Sequence, residues 1–296
     1  MYRYFRISVV ACAVAMLTAC ASDGTSTKAQ PPSVTQAAPV GSVKGSAWVH
    51  TDASLKAAVD NAWVVLPASV TGGAAYAGLL KDAPATRGKA PVVVFVHGSS
   101  GVAPAIKAWQ QWLADTLGVA SLTADSMQLP DRLTYKSPVA PQVYEKIHAM
   151  RAQELAAAIA AVPSLPWADP KQLVVAGTSE GAVAVARYRA TTSAPQEKGR
   201  MIFSWSCEDN YHVQTHRTQL PQTLPVLNIM SSTDMYFSQS NPWLGNPDAK
   251  GHCGEALAMN KVSSIVLIPG EPHTLFNLPQ AQQAQAGFLR GVFALR

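Results

Sequence analysis

A serine hydroxyl is a poor nucleophile at its own pKa, so it attacks a carbonyl only with a base beside it and oxyanion donors in front of it. The stretch Leu173-Val174-Val175-Ala176-Gly177-Thr178-Ser179-Glu180-Gly181 places one where backbone alone can supply the donors. An apolar run ends in the pattern GxSxG, and a small-residue segment, Ala182 to Ala186, follows it. That order reads as a buried strand, a sharp turn carrying Ser179, and a helix. The N–H of Glu180 then lies at a helix N-terminus, where free donors and the dipole both favour a developing negative charge. The glycines on either side leave room in a strained, crowded turn. GxSxG recurs by chance in unrelated chains, so the elements around it decide its meaning.

Those elements alternate. Ala62–Leu66 and Ala74–Leu80 read as strands separated by the Gly72-Gly73 turn. Pro91–Val96 is a continuous apolar run, as expected of a strand covered on both faces. It leads into His97-Gly98-Ser99-Ser100-Gly101, and Ala105–Leu117 follows with helical spacing through Ile106, Trp109, Leu113 and Leu117. Val119–Ala124 is the next strand. Val143, Ile147, Met150, Leu155, Ala158, Ile159 and Val162 then share one helix face that ends before Pro163. After the Ser179 motif come strands at Met201–Trp205, Val226–Met230 and Ile265–Ile268, and an amphipathic helix over Gln280–Leu295. Strands alternating with helices predict an α/β fold, a mostly parallel sheet of eight strands flanked by helices on both faces. Its site lies at the carboxyl ends of the strands.

The N-terminus stands apart. Arg3 and Arg6 precede an apolar run, Ile7–Leu17, too short to span a bilayer, so residues 1–19 read as a signal peptide. Leu17-Thr18-Ala19-Cys20 resembles a bacterial lipobox, which implies cleavage before Cys20, lipidation of that cysteine and anchoring to a bacterial membrane. Ala21 at the next position is similar to lipoproteins sent to the outer membrane. Residues 20–46, rich in Ser, Thr, Ala, Pro and Gln, read as a flexible tether reaching on the order of 25 to 30 Å. Residues 47–296 remain as one domain, and no repeat or composition break divides them. Removing residues 1–19 takes two of 23 basic residues and none of the 18 acidic ones, leaving 21 against 18, a net charge of +3. So mild a charge, with no basic block, gives no footprint for nucleic acid. Cys207 and Cys253 are left in an exported, oxidising compartment, where a disulfide between them is expected.

The HGSSG loop after one strand, the GTSEG turn further on, an Asp after a late strand and a His after the last strand together resemble an α/β-hydrolase. Asp125-Ser126-Met127 with Arg132, then Arg151, then Trp167-Ala168-Asp169-Pro170 are similar to dienelactone-hydrolase-like members over roughly residues 62 to 296. Dienelactone hydrolases proper carry cysteine at the turn where this chain has Ser179, so their lactone substrate does not transfer. The resemblance implies the chain order serine, acid, histidine. His273 is the one histidine between the final strand and the final helix, which makes it the general base and acid. Asp234, delivered to the carboxyl edge by Val226–Met230, is the orienting carboxylate. Glu208 and Asp209, after the preceding strand, are its rivals. The resemblance also implies the backbone N–H of Ser99 as second oxyanion donor beside that of Glu180, and places His97 beneath its loop rather than in the chemistry.

Cys207, Glu208, Asp209, His212, His216, His252 and Cys253 contain ligand types for zinc, but no CxxC accompanies them and the HxxxH spacing does not sit in a convincing helix; no metal and no cofactor is assigned. Long connections over Asp125–Gln142, Trp205–Leu224 and Met235–Cys253 carry Met127, Leu129, Tyr135, Trp205, Tyr211, Met235, Tyr236, Phe237 and Trp243, a set suited to a small-molecule acyl or aromatic substrate. The expected activity is carboxylic ester hydrolysis through an acyl-enzyme. Thioester, lactone and short-peptide hydrolysis use the same triad. A non-catalytic tethered binding module is the reading from another class, and the complete set of nucleophile, acid, base and HG loop stands against it.

Overall fold

The computed structural model describes residues 38–295. The leader, Cys20 and most of the tether lie outside that range. The ordered chain begins inside the stretch whose composition reads as tether: β1 (Ser42–Lys44) pairs antiparallel with β6 (Thr134–Lys136). Ser46 Oγ donates to Asp131 Oδ2 at 2.6 Å, and the Leu133 N–H donates to the Ala47 carbonyl. This short ladder takes its partner from a loop far along the chain, a pairing that local composition does not announce.

The main sheet is built from β2 (Trp63–Leu66), β3 (Tyr76–Leu79), β4 (Ala90–Val96), β5 (Ala120–Thr123), β7 (Ala168–Thr178), β8 (Glu197–Phe203), β9 (Val226–Ser231) and β10 (Ser263–Ile268). Their order is β10-β9-β8-β7-β4-β5-β2-β3, and only β2 runs against the rest. β4 and β7 form the centre, so β4 and the Leu173–Ala176 part of β7 read as unbroken apolar runs, as a strand buried on two faces must.

Helices cover both faces. α3 (Pro104–Leu117) and α6 (Pro279–Phe293) pack on one through Ile106, Trp109, Leu113, Leu289 and Phe293. Trp109 Nε1 donates to Gln285 Oε1 at 2.6 Å and ties the two together. α4 (Pro141–Ala161) and α5 (Glu180–Arg187) cover the other through Leu155, Ala158, Ile159, Val183 and Val185. α1 (Asp52–Asp60), not evident in the periodicity, packs against α4 behind a Thr51 N-cap. α2 (Ala68–Thr71) is a single turn. The register sets Val96 beside Gly177 and Thr178 beside Phe203, so the carboxyl ends of β4, β7 and β8 present their loops side by side.

Candidate active site

Ser179 leaves β7 at φ 54° and ψ −122°, a left-handed φ that costs a non-glycine residue free energy and persists only where its surroundings hold it. Its N–H donates to the Phe203 carbonyl at 3.0 Å, and its own carbonyl accepts from Ala182 and Val183 in the first turn of α5. The flanking glycines allow the approach. A Cβ on Gly181 would lie 2.2 Å from the Val96 carbonyl oxygen, and one on Gly177 2.7 Å from that of Gly181. Glu180 is the first residue of α5, so its N–H has no intrahelical acceptor.

Asp234 follows β9 and is fully buried. Its Oδ1 accepts the N–H groups of Tyr236 and Phe237 at 2.8 and 2.9 Å, and its Oδ2 accepts His273 Nδ1–H at 2.7 Å. With Nδ1 donating, Nε2 of His273 keeps the lone pair that a base needs. The loop that carries His273 is pinned to the ends of β8 and β9: Ser204 Oγ donates to the His273 carbonyl, and Ser231 Oγ to that of Glu271 at 2.6 Å. The rival acids are engaged elsewhere. Glu208 accepts the N–H groups of Lys250 and Gly251 at 2.6 and 3.0 Å, and Asp209 accepts that of His216.

Ser179, His273 and Ser99 line one cavity of about 590 Å³, together with Tyr135, Tyr211, His212, Met235 and Phe237. Of the aromatic residues expected around a pocket, Trp205 lies beneath it, buried edge-on against Phe237, and Trp243 packs behind Tyr211. Met127 and Leu129 are not in its lining. His212 is 2% exposed, and its Nε2 lies 3.0 Å from Tyr135 Oη. Burial, with smaller contributions from His148 and His273, holds its pKa well below the usual imidazole range.

A buried charged network sits under the Ser179 turn. Glu180 is fully buried, with its Oε1 2.8 Å from Arg132 Nη2 and 3.4 Å from Arg151 Nε. Arg151 also pairs with Glu154 and donates to the His97 carbonyl at 2.8 Å. Glu154 accepts from Ser126 Oγ at 2.7 Å and lies 2.9 Å from His50 Nε2. Burial pushes the Glu154 carboxyl up, but Arg151 and the bonds from His50 and Ser126 outweigh it and hold the pKa at about 2. His97 Nδ1 donates to the Gly98 carbonyl at 2.6 Å while its Nε2 accepts the Ser126 N–H at 3.0 Å. Burial and the neighbouring Arg151 keep this ring neutral. The network therefore fixes the Ser99 loop and the Ser179 turn to the same arginine.

Sequence reasoning did not reach His50, Glu154, Ser204 or Ser231. Their signal is positional: small hydroxyls at the carboxyl ends of strands for Ser204 and Ser231, and a charged residue on the buried face of a helix for Glu154; His50, in the loop before α1, carries none. Cys207 and Cys253 are joined as a disulfide, their Sγ atoms 2.01 Å apart. His216 Nδ1 accepts the Thr218 N–H, and His252 Nδ1 that of Gly254. The ligand types grouped in sequence thus take separate local roles, although Cys207, Glu208, Asp209 and His216 line one cavity.

No protein-family model and no curated protein sequence matches the chain. Solved structures do match. Est1E from Butyrivibrio proteoclasticus superposes with a TM-score of 0.50 at 18% identity, over 79% of this chain and 94% of that one. Esterase PE8 superposes with a TM-score of 0.51 at 16% identity, over 77% of this chain and 97% of that one. The chain has the α/β-hydrolase fold.

Proposed function

We propose that the protein is a serine hydrolase that cleaves carboxylic esters through an acyl-enzyme. The observation that carries this reading is the Asp234 to His273 hydrogen bond of 2.7 Å at the rim of the cavity that Ser179 enters from a strained turn. Ser179 Oγ attacks the ester carbon while His273 Nε2 takes its proton. Asp234, through Nδ1, stabilises the imidazolium that forms. The backbone N–H groups of Ser99 and Glu180 receive the oxyanion, and losing one such donor typically raises a barrier by about 3 kcal/mol. Collapse expels the alcohol, protonated by His273. Water activated by the same histidine then releases the acid and regenerates Ser179. The esterase whose structure the fold matches is in keeping with this chemistry.

Purified protein should release p-nitrophenol from short-chain p-nitrophenyl esters. Ser179→Ala and His273→Ala should abolish release, and Asp248→Ala should retain it. Undiminished hydrolysis by Ser179→Ala would refute the assignment. A series of thioesters, lactones and peptide anilides ranks the acyl classes that one triad can attack.

The same reading takes residues 1–19 as an export leader and Cys20 as the lipid anchor. Labelled palmitate should enter the wild-type protein and be lost in Cys20→Ala; incorporation that survives the substitution contradicts the anchor.

A further inference from the structure

None of the described residues that line the catalytic cavity is acidic, and Lys136 is the only lysine or arginine among them. Asp234 and Glu180 are fully buried and already paired, the first with His273 and the second with Arg132 and Arg151. Glu271, next to Pro272, is not in the lining. Of the two histidines there, His212 is held neutral by burial, and His273 acts as a base only in its neutral form. Lys136 itself is exposed, and its Nζ has no hydrogen bond or ion pair among the described residues. On an open surface such a lysine is ordinary, because water solvates it. At the mouth of a concave site with aromatic walls, its field is concentrated on whatever enters. The backbone that carries it is fixed. β1 holds β6 in register, with Ser42 opposite Lys136, and the next residue, Ser137, accepts from Tyr144 Oη at 2.9 Å. Successive side chains of a strand take opposite faces, so with Tyr135 in the wall Lys136 meets the cavity from its rim, along its flexible stem.

We infer that the site takes esters bearing a carboxylate apart from the scissile bond, and that Lys136 is the residue that selects them. For the bond that is cut, this rests on the ester-hydrolase reading above; the carboxylate is recognised whether or not the bond is cut. Tyr135, Tyr211, Tyr236 and Phe237 cover the carbon frame between the two groups, and the lysine meets the carboxylate as a point charge. Selection also comes from what the lining lacks. With no acid to relieve it, Lys136 repels an ester that carries a cation, so the same residue admits one charge and rejects the other.

Two matched pairs of compounds test this: the p-nitrophenyl half-ester of adipic acid against p-nitrophenyl methyl adipate, and 4-acetoxybenzoate against its methyl ester. The first pair puts the carboxylate on the acyl side and the second on the leaving-group side. Titration of Ser179→Ala followed by NMR reads binding apart from turnover, and hydrolysis is read on the wild type. In at least one pair the carboxylate should bind about tenfold more tightly than its methyl ester, and the difference should appear in KM. Lys136→Met added to Ser179→Ala should erase that ratio and Lys136→Glu should invert it, whereas Lys44→Met, a lysine outside the lining, should keep it. Raising the salt to about 1 M, where the Debye length falls to about 3 Å, should bring the ratio toward one. No preference in either pair, or a preference that survives Lys136→Glu, overturns the inference. A binding preference with no hydrolysis by the wild type would leave the carboxylate site standing and sink the ester-hydrolase reading; hydrolysis with no preference does the reverse.

Discussion

Asp234 spends both carboxylate oxygens on fixed donors, two backbone N–H groups on one and His273 on the other. Asp234→Asn should therefore keep the fold while lowering kcat by about 10⁴-fold, because an amide in that place selects the wrong imidazole tautomer. Glu208→Gln should leave kcat within a few-fold of the wild type, since Glu208 serves Lys250 and Gly251. The reverse ranking would make Glu208 the orienting acid. Gly181→Ala should cost at least about 3 kcal/mol in urea unfolding, the upper end of ordinary overpacking, as its Cβ meets backbone oxygen rather than a yielding side chain. At this scale much was legible in sequence. Ser179, Asp234 and His273 each follow a strand, and strand ends are where this topology gathers chemistry. Ser204 and Ser231 were not legible, because a serine that holds a loop by one hydroxyl looks like any other serine.

α4 has an apolar stripe that was readable and, Arg151 apart, buried polar and charged residues that were not. Tyr144, His148, Arg151 and Glu154 are all buried along with the stripe, so the helix is enclosed on more than one side. Arg151 is its keystone, joining Glu154, Glu180 and the His97 carbonyl. Arg151→Met leaves buried carboxylates short of a cation and should destabilise the fold by about 3 to 5 kcal/mol in urea unfolding. A loss below 1 kcal/mol would show that water reaches the network. Arg132→Lys should be milder on stability, because Arg151 still faces Glu180. α1 and the β1–β6 ladder escaped sequence reading for a common reason. Each is short and takes its place from a distant partner, α4 for one and the residues around Asp131 for the other.

Across the whole molecule, the buried histidines set the response to acid. His97, His148 and His212 all have pKa values below the ordinary 6.5, His148 at about 4, with burial the leading cause in each. The unfolded chain takes up these protons first, so their stability is full above about pH 6.5 and drains away as pH falls toward the folded values, at about 1.4 kcal/mol per pH unit for each proton. Glu154 adds a second loss at lower pH, between its unfolded value and about 2. The urea midpoint should fall steadily from about pH 7 to about pH 5, and a flat profile there would contradict neutral buried rings. The mostly parallel class followed from strand and helix alternation, while the order β10-β9-β8-β7-β4-β5-β2-β3 was not read from the sequence. The eight-stranded count followed too, since turns and prolines bound each apolar run. The cavity's lining followed in part: Tyr135, Tyr211, Met235, Tyr236 and Phe237 line it as the three long connections suggested, whereas His212 was not expected there and Met127, Leu129, Trp205 and Trp243 lie outside it, because the mutual placement of the loops depends on the disulfide and on contacts far apart in sequence. The central claim is that Ser179 is the nucleophile, and the mass of the protein after reaction with a fluorophosphonate tests it most directly. One adduct should appear, on the tryptic peptide Gln172–Arg187 that contains Ser179, and it should vanish in Ser179→Ala; an adduct on another peptide, or one that persists in that variant, contradicts the account.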